Sequence, residues 1–92
     1  MSRKMRDESW RQLIGEALEG NGESWADVVG QTPTDADLDK EFDAGFGSPE
    51  GCAFTLWTRE NVYFPICYDG AESVGSAPRN PCDKALSHQG GW

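Results

Sequence analysis

The stretch DADLDKEFD (35–43) places carboxylates at every second position: Asp35, Asp37, Asp39, Glu41 and Asp43. Hard cations take several oxygens from one loop, so calcium is the first chemistry this spacing raises. From Asp39, the order Asp39-x-Glu41-x-Asp43 with Glu50 in the twelfth place imitates an EF-hand loop. Ala44 stands where that loop needs Gly, however, and Pro49 sits near its end. Read from Asp35, Lys40 and Phe46 fall at two of the defining positions. The pattern therefore argues against calcium. Cys52, Cys67, Cys82 and the lone His88 lack the short paired spacings of a zinc site, so reduced cysteines and no metal or other cofactor are expected.

Two readings of the acids remain. One is a solvated helix face that keeps the chain in solution. The other is mimicry of nucleic acid, because phosphate-binding surfaces respond mainly to charge and spacing. A mimic docks on the Lys/Arg surface of a partner and needs no catalytic residue. Nearby aromatics, Tyr63 and Trp92 above all, would supply desolvated anchors for such a complex. The expected contact set is thus Asp35, Asp37, Asp39, Glu41, Asp43, Tyr63 and Trp92. An enzyme is not expected. No Ser-His-Asp or Cys-His motif has supporting context, and GFGSPEG precedes a strand, the reverse of the dinucleotide-binding order.

Charge frames this choice. The chain has 92 residues, with 16 acidic against eight basic side chains, a net charge of −8. Residues 7–50 hold 12 of the acids and two bases, while residues 1–6 are locally basic. Direct binding to nucleic acid is therefore not expected. The start MSRKMRDESW lacks the apolar stretch of a signal peptide and no run is long enough to span a membrane, so a cytoplasmic protein is expected.

The elements that must position these residues divide at residue 51. Ahead of it the apolar period is 3.6: Trp10, Leu13, Ile14, Ala17 and Leu18 form one stripe, capped by Ser9 and ended by Gly20-Asn21-Gly22. Ser24 and Thr34 open two shorter helical segments, with Trp25, Val28 and Val29 on the first and Leu38 and Phe42 on the second. Beyond Gly51 the period is 2. CAFTLWT, VYFPICY and AESVGSA read as strands joined by TREN and by Asp69-Gly70, a two-residue hairpin signal.

These segments predict one α+β domain over 1–92. Two to three short N-terminal helices pack on a three-stranded antiparallel β-meander. The acidic helical part spans 7–43, the meander 52–78 and an irregular tail 79–92. The first turn should pair Trp57 with Val62, which sets Cys52 opposite Cys67; the second should pair Tyr68 with Ala71. Trp57, Val62, Phe64, Ile66 and Ala53 then share the face expected on the helices, with Trp10, Leu13 and Leu18 completing the core. Phe54, Leu56, Tyr63 and Val74 share the other face, left for the tail or a partner. Pro65 should force a bulge or a broken bond.

Two motifs, ESWxxLIxxA from Glu8 and FTLWTxxxVYFPxxYDGAExVGSxPRNP from Phe54, resemble those of a group of small proteins encoded by phages and prophages. Ser73 departs from the pattern, where a tryptophan is expected. The resemblance implies a counter-defence role similar to that of anti-CRISPR proteins in size, charge and lack of catalytic motifs. The implied partner is a host protein or ribonucleoprotein with a basic surface, a CRISPR effector among the candidates. The alternative is a non-catalytic phage accessory or structural protein that oligomerises through its apolar sheet face. A monomer or small homo-oligomer is expected.

Overall fold

The computed structural model describes residues 7–43, 51–68 and 71–89; residues 44–50, the Asp69-Gly70 hairpin signal and Trp92 lie outside the described residues. Helix α1 (Trp10–Gly20) follows the apolar stripe, burying Trp10, Leu13, Ile14 and Leu18. Ser9 caps it, its hydroxyl accepting from the Gln12 N–H at 3.2 Å. Gly22, at φ 74°, turns the chain back at the other end. Its N–H reaches the Glu19 carbonyl at 3.0 Å, and the Glu23 N–H reaches that of Leu18 at 2.8 Å.

The fold is α+β, with one main helix and two antiparallel sheets among the described residues. The acidic part is less helical than its pattern predicts. Strand β1 (Asp7–Ser9) precedes α1, a single 3-10 turn (Trp25–Asp27) leads into β2 (Val28–Gln31), and the five-residue α2 (Asp35–Asp39) leads into β3 (Glu41–Asp43). β-Branched Val28 and Val29 suit a strand once a partner edge is available. Lys40, at φ −69° and ψ 128°, stops α2 and carries Phe42 into β3 instead of a further turn.

The predicted meander exists as β4 (Leu56–Thr58), β5 (Asn61–Tyr68) and β6 (Ala71–Pro78), but inside a four-stranded sheet of order β2-β4-β5-β6. β1 and β3 form a separate pair. Trp57 faces Val62 and Tyr68 faces Ala71, the register expected from the turns. The first strand is shorter than CAFTLWT: β4 begins at Leu56, and the Thr55 carbonyl on its β2 side accepts from the Thr32 N–H at 2.9 Å. The β4–β5 register ends at Leu56–Tyr63, so Cys52 is not paired with Cys67, and all three cysteines are unpaired and exposed.

Pro65 causes neither a bulge nor a break. β5 and β6 stay in continuous register from Asn61–Pro78 to Tyr68–Ala71. The Ser76 N–H and C=O point off the β6 edge, where both meet the Gln89 side chain, so Tyr63–Ser76 is a non-hydrogen-bonded pair. By alternation Pro65–Val74 is another. The missing donor of Pro65 therefore faces the β4 side, and β4 has ended before that level.

The meander is turned over relative to expectation. Phe54, Leu56 and Tyr63 are buried with Trp10, Leu13, Ile14, Leu18, Leu38 and Phe42, whereas Trp57, Val62, Phe64 and Ile66 are half-buried and Ala53 is exposed. Both faces of the sheet are apolar, so period 2 alone leaves the choice open. The opposite face can house the Tyr63 hydroxyl among polar partners under α1. No helix among the described residues is long and apolar enough to cross a membrane.

Ile14→Ala or Leu56→Ala should cost about 2–5 kcal/mol, since both side chains are fully buried. Phe64→Ala should cost less than either. Denaturant unfolding of the three variants checks the order.

Candidate functional site

The acidic run is carried by α2 and β3. Thr34 and Asp37 close a capping box: the Thr34 hydroxyl accepts from the Asp37 N–H at 3.1 Å, and the Asp37 carboxylate from the Thr34 N–H at 3.3 Å. One of the five acids is thus committed to holding the helix start. Leu38 is the buried anchor that seats α2 on the core.

Asp35 and Asp39, one turn apart, both meet Arg11 of α1. The guanidinium donates to the Asp39 carboxylate through Nε and to Asp35 through Nη2 at 3.4 Å. The hydrogen bond to Asp39, ahead of the other effects, holds the guanidinium pKa above its ordinary value. The same group lies 5.1 Å from the centre of the Trp25 ring. Arg11 therefore joins α1, the 3-10 turn and α2. The carboxylates stay largely in water, with the Asp35 side chain 83% exposed and that of Asp39 60%. Such pairs stabilise by about 1 kcal/mol or less.

Glu41 is exposed in β3 opposite Ser9, and Asp43 stands opposite Asp7. The Asp43 side chain lies outside the described residues. The five positions do not form one straight rail. They divide into a clamped pair on α2, a cap, and two strand positions. Asp39, Glu41 and Asp43 also sit on a helix end and a strand, not on the loop that an EF-hand order requires.

Tyr63 cannot contact a partner, contrary to expectation, because it is completely buried. Its hydroxyl donates to Glu23 and accepts from Asn21 Nδ2 at 3.1 Å. Asn21 also donates to the Ser76 hydroxyl at 3.1 Å, and Asn61 donates to Glu23 at 3.1 Å. Together they tie the end of α1 to β5 and β6. Phe54, expected as another exposed aromatic, is buried on Trp10, and Trp92 lies outside the described residues.

An open cleft of about 460 Å³, which the sequence did not announce, lies between Glu23, Ala26, Asp27, Val29, Arg59 and Glu60. Its walls come from the 3-10 turn, β2 and the β4–β5 turn. Val29 projects where the β2–β4 register shifts between Val28 and Gly30, and the residue is 54% exposed. Val28-Val29-Gly30 is a weak local signal for such a bulge. The carboxylates of Glu23 and Asp27 already serve Tyr63 and the Ser24 N–H, the latter at 2.8 Å.

No protein-family model, curated protein or solved structure matches the chain.

Burial, followed by the hydrogen bond to Glu23, pushes the Tyr63 pKa up from 10.0 to about 12. A raised folded-state pKa means the neutral phenol is favoured by folding. That stability is fully present below about pH 10 and is lost as pH rises through about 12. Tyr63→Phe should flatten this alkaline loss, and one of the two tyrosines should titrate late in tyrosinate absorbance. Equal alkaline limbs for variant and wild type would contradict the assignment.

Proposed function

We propose that this chain is a non-catalytic, acidic protein that acts in the host cytoplasm by docking on the basic, nucleic-acid-binding surface of a partner complex. The observation that carries this reading is the presentation of Asp35, Asp37, Asp39 and Glu41. All four are exposed on short elements held in place by the Thr34 cap, the Leu38 anchor and Arg11. Charges on a clamped surface approach a partner without an ordering cost at the moment of binding. Glu16 and Glu19 on the exposed side of α1 add to the field. The resemblance of the ESW and FTLWT motifs to phage and prophage proteins makes a host defence ribonucleoprotein, a CRISPR effector first, the partner to test.

A second reading is favoured by the outer face of the sheet, where Trp57, Val62, Phe64 and Ile66 are only half-buried. On that reading the chain is an accessory protein that oligomerises through this face, and its acids serve solubility. Salt separates the two. Charge docking weakens steeply between about 50 and 500 mM salt, whereas apolar association holds.

Asp35, Asp37 and Asp39 are poor choices for a test, since the cap and Arg11 depend on them. Reversing Glu16 and Glu41 to Lys, both exposed, should instead lower capture of defence complexes from host lysate about tenfold or more at low salt. Stability should change by about 1 kcal/mol or less. Capture by the double variant equal to wild type sinks the docking proposal. Loss in a Trp57→Ser variant with capture intact in the acidic variant selects the second reading.

A further inference from the structure

The chain has three asparagines, and the residue after each sets them apart chemically. An asparagine loses its side-chain amide when the next backbone nitrogen attacks its Cγ, so that nitrogen must carry a hydrogen and be uncrowded. Asn80 precedes Pro81, which has no N–H to give up. Asn61 precedes Val62, whose branched side chain crowds the nitrogen inside β5. Asn21 precedes Gly22, which has no side chain, and it is exposed to water at the end of α1. Asn21 is the reactive one of the three.

The folded chain holds both partners of that reaction apart. At ψ 7° the Gly22 nitrogen is nearly eclipsed with the Asn21 nitrogen and turned away from the Asn21 Cβ. A five-membered ring through Cβ and Cγ needs the Gly22 nitrogen nearly coplanar with Cβ instead. The proton that must leave that nitrogen is donated to the Glu19 carbonyl at 3.0 Å. The side chain is clamped as well, with Nδ2 donating to the Tyr63 and Ser76 hydroxyls, each at 3.1 Å. Tyr63 is completely buried in β5, so Cγ reaches Gly22 only when the end of α1 parts from the sheet.

We propose that Asn21 is a deamidation site which the fold keeps closed, and that its reaction stops the end of α1 from closing again. On opening, the Gly22 nitrogen gives its proton to hydroxide and bonds to Asn21 Cγ. The Cγ–Nδ2 bond breaks, and Nδ2 leaves as ammonia with a proton taken from water. Water then opens the resulting succinimide at one of its two C–N bonds. Cleavage at Cγ yields aspartate; cleavage at the main-chain carbonyl yields isoaspartate, which routes the backbone through Cβ. Neither product fits the closed site. The Tyr63 hydroxyl already gives its one proton to Glu23, so an oxygen in place of Nδ2 meets a lone pair beside a second carboxylate. Isoaspartate also displaces Gly22, whose φ of 74° turns the chain off the helix.

The experiment incubates the full chain at mildly alkaline pH, native and in urea, and measures aspartate and isoaspartate at residue 21 by peptide mapping. The unfolded chain should react at Asn21, and the native chain about tenfold more slowly or slower still. Tyr63→Phe and Ser76→Ala each remove one clamping hydroxyl. Natively folded, each should react about threefold faster than wild type, the effect of one lost hydrogen bond. Asn21→Asp reproduces the simpler product. Its Glu23 amide, bonded to the Leu18 carbonyl in the closed end, should exchange hydrogen about tenfold faster than in wild type. No reaction at Asn21 in urea, or equal rates native and unfolded, overturns the guarded site. Wild-type rates in both clamp variants overturn the clamp, and unchanged Glu23 exchange in Asn21→Asp overturns the block on closure.

Discussion

The Trp10 indole, at the first turn of α1, meets three separate parts of the chain in the core. Its ring lies 4.9 Å from that of Phe42 and 4.8 Å from that of Phe54, both tilted, and its N–H donates to the Cys52 carbonyl at 2.9 Å. One side chain thereby joins the helix, the β1–β3 pair and the segment entering β4. A small domain buries a modest share of its surface, so a large aromatic hub that also satisfies its one polar atom matters disproportionately. The arrangement of the α2 acids follows from it, because Phe42 and Leu38 bracket the turn from α2 into β3.

A second constraint is the buried polar cluster around Tyr63. Inverting the meander would carry the phenol to the outer face and bring Trp57 and Phe64 against α1. The inner face instead supplies Asn21, Glu23, Asn61 and Ser76, so that the hydroxyl is bonded where water is excluded. Leaving such a group unpaired costs about 1–3 kcal/mol, which favours the face that brings it to its partners. The orientation of the sheet thus rests on a handful of hydrogen bonds and not on the count of apolar residues.

The same logic divides the carboxylates by what each does. Asp27 and Asp37 complete capping boxes, Glu23 receives the tyrosine, and Asp35 and Asp39 hold Arg11. Glu72 is buried, with its carboxylate accepting the Gly51 N–H at 3.0 Å. A chain of net charge −8 therefore uses a good part of its negative charge to build itself. The docking surface proposed for α2 and β3 is what this construction leaves turned to water.

Features set by near neighbours were legible in the sequence. The α1 stripe, its Ser9 and Gly22 ends, the Ser24 capping box, the Thr34 cap and the Trp57–Val62 and Tyr68–Ala71 registers all depend on residues a few positions apart. For these, turn chemistry and periodicity suffice. Tertiary structure alone decided which face of the meander packs inward, because both faces are apolar and the tie is broken by partners some forty residues away in the chain, Asn21 and Glu23. It also decided that Val28–Gln31 becomes a strand, since an isolated valine pair has no edge to join until β4 is in place. The fate of the acidic run was decided the same way. Alternate spacing shows that the charges exist, but their roles follow from Arg11, 24 and 28 residues earlier, which folding brings against Asp35 and Asp39.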